Sequence, residues 1–329
     1  MFLLLLGCSS QQQQEIPDLR QALSVPHFRN PLEPHTTETW THRDITLERV
    51  SFQGRYGERI PALLAYSGIG KSRPLPVLLC MPGSPNVKED LLQRIDIISE
   101  WADRGFFTIS IDRPYHGERV GDLRSATMEK GFLKVWGESV YDLMRTIDYV
   151  ETRKEANVDR LGMLGLSMGG IEALWLAALD PRVDVVVSVA GHLAWEDIFA
   201  GEAWKNIFRG LELRHELVRK GAEGSEVQQA FFAANPGMQD IDALHVVAQV
   251  APRPLLLMVG ADDPYIPLTA SRHTHAAAQT KYASFPDRLV LSEVENAGHS
   301  FNRVMQDEAL KWFIHWLIET PELSVEATN

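Results

Sequence analysis

The sequence predicts an α/β protein, with a mostly parallel central sheet of about eight strands, helices on both faces and a helical cap insertion. Three observations predict it. From about Ile45 onward, short β-rich runs alternate with helical patterns. The later runs are almost continuously apolar, as strands become when helices cover both of their faces. One interval in the second half is far too long for an ordinary connection.

Taken in order, "ITLERVSF" and "RIPALLAY", joined by the turn-prone "QGRYGE", read as an opening hairpin. The buried strands follow: "PVLLCM", "FFTISID", "RLGMLGL", "VDVVVSVA", "RPLLLMVG" and "RLVLSEVE". Among the helices, Val140, Leu143, Met144, Ile147 and Val150 fall on one face at helical spacing and belong to the core. "MGGIEALWLAALD" is rich in good helix formers and stops before Pro181, and "ALKWFIHWLIETP" closes the domain at a proline. The long interval, about sixty residues between Gly191 and Pro254, is expected to be a cap above the sheet. The expected organisation is therefore a tether at residues 1–40 without fixed structure, a domain at 41–322 with its cap at about 193–250, and a tail at 323–329.

The net charge of −12 opposes non-specific attraction to nucleic acid or anionic membrane surfaces, so nucleic acid is not an expected partner. Two cysteines, Cys8 and Cys80, exclude a disulfide framework and a cysteine metal cluster. Cys80 ends an apolar run and reads as a small core residue. No HExxH, Walker loop or dinucleotide fingerprint occurs, and His273 and His275, two apart in a helix, do not share a face. No metal and no cofactor are expected. The opening "MFLLLLGCSS" is ambiguous: its apolar core, Phe2 to Leu6, is shorter than the roughly 7–15 residues of a secretory signal.

The chemistry centres on "GLSMGG". Gly165-Leu166-Ser167-Met168-Gly169 follows an apolar strand and opens a helix, the placement a nucleophile elbow requires. Glycines admit the tight turn, which pushes the hydroxyl above the sheet edge, and the helix behind aims its first amides at charge developing on an attacked carbonyl. The competing reading is a serine that merely caps the helix. A serine alcohol needs a base, and the base an orienting carboxylate. Later strand exits supply both: "ADDPYIP" carries Asp262 and Asp263, and "NAGHSF" carries His299.

On these residues, together with "MPGSPNVKED" and "DRPYHGER", the chain resembles the α/β-hydrolase superfamily, closest to its dienelactone hydrolase and prolyl-oligopeptidase-type esterase branches, over about Ile45 to Thr320. The resemblance implies an α/β-hydrolase fold and a triad of Ser167 as nucleophile, His299 as base and Asp263 as acid, with the adjacent Asp262 as the alternative. It also implies an oxyanion hole formed by the backbone N–H groups of Met168 and Ser84. Ser84 lies in a loop reading Pro82-Gly83-Ser84 where relatives often carry His-Gly, so the support of that loop differs here. His116 and Arg119 read as structural, with pocket lining the alternative. His192 and Trp195 are candidates for the substrate pocket from the cap root. Separately, "LLGC" resembles a bacterial lipoprotein lipobox, which implies a membrane tether through lipidated Cys8 at the cell envelope; a cytoplasmic location is the alternative.

The implied activity is hydrolysis of small-molecule or carbohydrate esters through an acyl-enzyme. A serine peptidase of the prolyl-oligopeptidase type is the second reading, disfavoured because the stretch before Ile45 is too short for a propeller domain. A catalytically silent binding member of the fold is the third, and the complete triad argues against it.

Overall fold

The computed structural model describes residues 18–208 and 212–320. Cys8, residues 1–17 of the expected tether and the tail at 323–329 lie outside these residues. Among the described residues, nine strands form one sheet in the order β1-β2-β3-β5-β4-β6-β7-β8-β9. They are β1 (His35–His42), β2 (Ile45–Gln53), β3 (Arg59–Ser67), β4 (Leu75–Met81), β5 (Phe107–Ile111), β6 (Ala156–Leu166), β7 (Val185–Val189), β8 (Leu255–Gly260) and β9 (Leu289–Val294). The pairs β1/β2, β2/β3 and β3/β5 are antiparallel, and every pair from β5/β4 to β8/β9 is parallel. This is the α/β-hydrolase fold.

Alternation along the strands sorts side chains into two cores. In β4, Val77 and Leu79 join one apolar cluster while Leu78 and Cys80 join the other. The first is covered by α1 (Phe132–Val150) and α2 (Met168–Leu179), through residues such as Ile147 and Trp175. The second includes Phe313 and Leu317, from the last helical stretch among the described residues, with Trp101. Each such side chain, if fully buried, contributes about 1.5–3 kcal/mol. The expected stripe of α1 is buried throughout, from Val140 to Val150.

Two differences from the sequence reading stand out. Strand β1 was not anticipated, because its residues other than half-buried Trp40 are exposed on both faces and so carry no apolar alternation. It slips register against β2 between Thr36 and Glu38. The packed core also reaches upstream of residue 41, taking in Leu19, Leu23 and Val25. Among the described residues no helix is long and apolar enough to cross a membrane.

Between β7 and β8 the expected insertion is helical. It includes α3 (Trp195–Ala200), α4 (Gly224–Ala234), a further helix at Glu212–Arg219 and shorter turns. Rings of Trp195, Phe199, Phe208, Phe231 and Phe232 pack together at 4.8–6.4 Å between centroids, and Phe231 meets Phe132 at the start of α1. The insertion therefore shares its apolar core with the sheet instead of standing apart from it.

Candidate active site

Ser167 sits between β6 and α2 with φ 53° and ψ −116°, a left-handed φ that an L-residue adopts only when its surroundings enforce it, at about 1–3 kcal/mol. Close backbone approach provides the enforcement. A Cβ on Gly165 would stand 1.8 Å from the Gly169 carbonyl oxygen, and one on Gly169 would stand 2.5 Å from that of Met81. The Ser167 amide donates to the Val189 carbonyl of the neighbouring strand at 2.7 Å. Ser167 makes no side-chain cap to its helix, so the capping role weighed from sequence is not the one this hydroxyl takes.

The hydroxyl instead meets His299, with Oγ 2.8 Å from Nε2. On the other side of the ring, Nδ1 is 2.8 Å from Asp263 Oδ2. A carboxylate only accepts, so Nδ1 carries the proton and Nε2 presents its lone pair to the serine. The Asp263 side chain is fully buried, and its other oxygen accepts the amides of Tyr265 at 2.8 Å and Ile266 at 3.0 Å. Asp262 is exposed. Of the two adjacent aspartates, Asp263 is the one that reaches the imidazole. The Tyr265 ring backs that imidazole at 4.7 Å between centroids.

A cavity of about 270 Å³ opens beside Ser167 and His299. Its walls come from the loop after β4, including Ser84, Leu91, Arg94 and Ile95, and from Val189 and Phe301. Among the described residues, none at 193–250 lines it. His192 and Trp195, expected at the pocket, lie elsewhere. His192 is buried, 2.8 Å from Ser271 Oγ through Nδ1 and 3.2 Å from the Ser188 carbonyl through Nε2. Burial pushes its pKa down to about 4, so the ring is neutral, donates from Nε2 and accepts the Ser271 hydroxyl. Trp195 donates from its indole to the Met238 carbonyl at 2.9 Å and belongs to the aromatic core of the insertion. Both follow β7 in sequence, but the chain turns their side chains inward.

Of the two candidate amide donors, Met168 is the first residue of α2, where an N–H has no intrahelical partner. Ser84 belongs to a loop pinned by charged groups that sequence spacing does not reveal. Arg113 pairs with Glu172 of α2, Nε to Oε1 at 3.1 Å and Nη2 to Oε2 at 2.9 Å, and both side chains are buried. Ser139 of α1 donates to the same carboxylate at 2.6 Å. Lys88 is buried against Asp112 at 2.7 Å and Glu118. Burial works to lower its pKa, but hydrogen bonds from its ammonium to these carboxylates hold it above the usual lysine range. Arg119 pairs with Asp142 of α1 at 2.8 Å and with Glu58 at 2.6 Å, and it lies outside the cavity lining, as does His116. Among the described residues no cluster of three or more His, Cys, Asp or Glu could hold a metal ion.

Residues 77–315 match the Alpha/beta hydrolase family. The protein YtaP of Bacillus subtilis (strain 168), which carries a hydrolase designation, is 26% identical over 233 residues, covering 69% of this chain and 71% of its own length. Among solved structures, the acetyl xylan esterase from Paenibacillus sp. R4 superposes with a TM-score of 0.63 at 18% identity, covering 91% of this chain and 92% of its own. A glucuronoyl esterase from Solibacter usitatus gives 0.65 at 14% identity, covering 90% and 91%. At these identities the likeness to both is one of fold. These neighbours are named for acetyl xylan and glucuronoyl groups, not as dienelactone hydrolases or prolyl oligopeptidases.

Proposed function

This chain belongs to the Alpha/beta hydrolase family, and we propose that it is a serine esterase that cleaves carboxylic esters through an acyl-enzyme. The observation that carries the reading is the unbroken relay from buried Asp263 through His299 to Ser167, 2.8 Å at each step. Nε2 takes the hydroxyl proton as Oγ bonds to the acyl carbon, and the carbonyl oxygen becomes an anion that the amides of Met168 and Ser84 receive. The anion collapses, the ester C–O bond breaks, and His299 returns its proton to the departing alcohol. Water, deprotonated by the same nitrogen, then attacks the acyl carbon and releases the acid and the free serine.

A cavity of about 270 Å³ supports a short acyl group, since drug-sized ligands occupy roughly 300–1,000 Å³. Because the solved neighbours are named as acetyl xylan and glucuronoyl esterases, small carbohydrate esters are the substrates to try first. The test pairs p-nitrophenyl acetate with aminoacyl-nitroanilides and adds fluorophosphonate labelling. Ester turnover and labelling are expected in the parent and absent from Ser167→Ala. Preference for the anilide would replace the esterase with a peptidase, and an unlabelled parent would leave only a binding role.

A further inference from the structure

The segment leaving β5, Asp112 to Glu118, touches the loop leaving β4 in three places. Arg113 Nη2 donates to the Pro82 carbonyl at 2.6 Å, at the start of that loop. Near its end, Asp112 accepts the Lys88 amide at 3.0 Å and the Lys88 ammonium at 2.7 Å. Between these anchors His116 Nε2 lies 2.9 Å from Ser84 Oγ. The outer two contacts hold the loop's ends through buried charges, whereas the middle one reaches the residue whose amide is the candidate oxyanion donor.

The direction of that middle contact follows from its surroundings. His116 Nδ1 is 3.0 Å from the Pro114 carbonyl, which can only accept, so the ring proton sits on Nδ1. Nε2 is therefore an acceptor and Ser84 donates to it. Burial, reinforced by the nearby Arg113 charge, lowers the pKa of His116 and keeps the ring in this neutral form. His116 is 6% exposed, while Ser84 lies open to the cavity, so the buried histidine is the fixed member of the pair.

We propose that His116 is a positioning residue for ester hydrolysis: by accepting the Ser84 hydroxyl, it holds the Ser84 amide toward the point where the carbonyl oxygen gains negative charge. The proposal rests on the esterase reading above. A preorganised donor stabilises the transition state more than the substrate, so loosening it lowers kcat and spares KM.

The experiment is a kinetic series on p-nitrophenyl acetate with Ser167→Ala, His116→Ala, His116→Gln, Ser84→Ala and the His116→Ala/Ser84→Ala double variant. Outright loss of an oxyanion donor costs about 10²–10³ in kcat, so a donor left in place but unheld is expected to cost about 10–100-fold, with KM within about threefold. Ser84→Ala should fall by the same factor, the double variant no further, and His116→Gln, whose Oε1 can stand where Nε2 stood, should recover most of the loss. Losses that multiply in the double variant, or parent kcat in Ser84→Ala, overturn the proposal even if His116→Ala fails to fold. Activity surviving in Ser167→Ala would instead overturn the esterase reading. Parent-like kcat in His116→Ala beside a dead Ser167→Ala overturns the positioning role alone.

Discussion

Acidification should unload His192 from the native state, and the size of the effect follows from its surroundings. The imidazole is fully buried, accepts from Ser271 and donates to the Ser188 carbonyl. Burial outweighs the Ser188 bond and the Asp263 charge, so its folded pKa is about 4 against 6.5 in the open chain. Between those values the unfolded chain binds a proton that the native state refuses. The stabilisation is thus whole above pH 6.5 and is lost as pH falls toward 4. Going from pH 7.5 to pH 5 removes about 2 kcal/mol through this one group. Asp142 and Asp184, pushed up to about 6 by burial, respond in the opposite sense, because protonation relieves them. The raw pH curve therefore mixes signs, and the informative quantity is the difference between parent and His192→Gln, which cannot titrate. Urea unfolding at the two pH values should show the parent losing about 2 kcal/mol more than the variant. Equal losses would mean the imidazole takes its proton in place, and the account of a sealed, neutral ring would fail.

Two further outcomes follow from the site. Asp263→Asn should lower kcat on p-nitrophenyl acetate by about 10⁴, since an amide in place of the carboxylate favours the wrong ring tautomer, while Asp262→Asn stays within about threefold; the reverse ranking would reassign the acid. Gly165→Ala forces a methyl to 1.8 Å from a backbone oxygen that no rotamer change can move. A destabilisation of about 3 kcal/mol or more, seen as a melting temperature lower by about 6 °C or more, is expected, and a parent-like melt would show that the elbow yields.

The elbow and the strand exits were legible because local backbone demands write themselves into neighbouring residues. Gly165, Ser167 and Gly169 are spaced by a steric requirement, and Asp263 and His299 each follow an apolar run whose end is visible. Strand β1 was not legible, because a strand that half-buries only Trp40 has no apolar period to detect. For His192 and Trp195, sequence reveals that they leave β7 at the right end of the sheet but not which way the chain turns afterwards. The Arg113–Glu172 pair joins residues 59 positions apart, and the Ser84–His116 contact spans 32. Nothing local encodes either pairing. The same limit applies to the pocket walls, which come largely from the loop after β4, with none of the described residues of the long insertion among them.

The outermost strand has a bearing on how this protein behaves in concentrated solution. A sheet flank is a row of open amides and carbonyls that any extended peptide could extend. Here the flank is His35–His42, whose backbone falls out of step with its neighbour at Thr36 and Glu38 and whose side chains are mostly threonine, histidine and glutamate. A foreign segment laid alongside would lose hydrogen-bond alignment partway and would find little greasy surface to cover. The sheet ends on a margin unsuited to growth, which guards against fibrous association from that side.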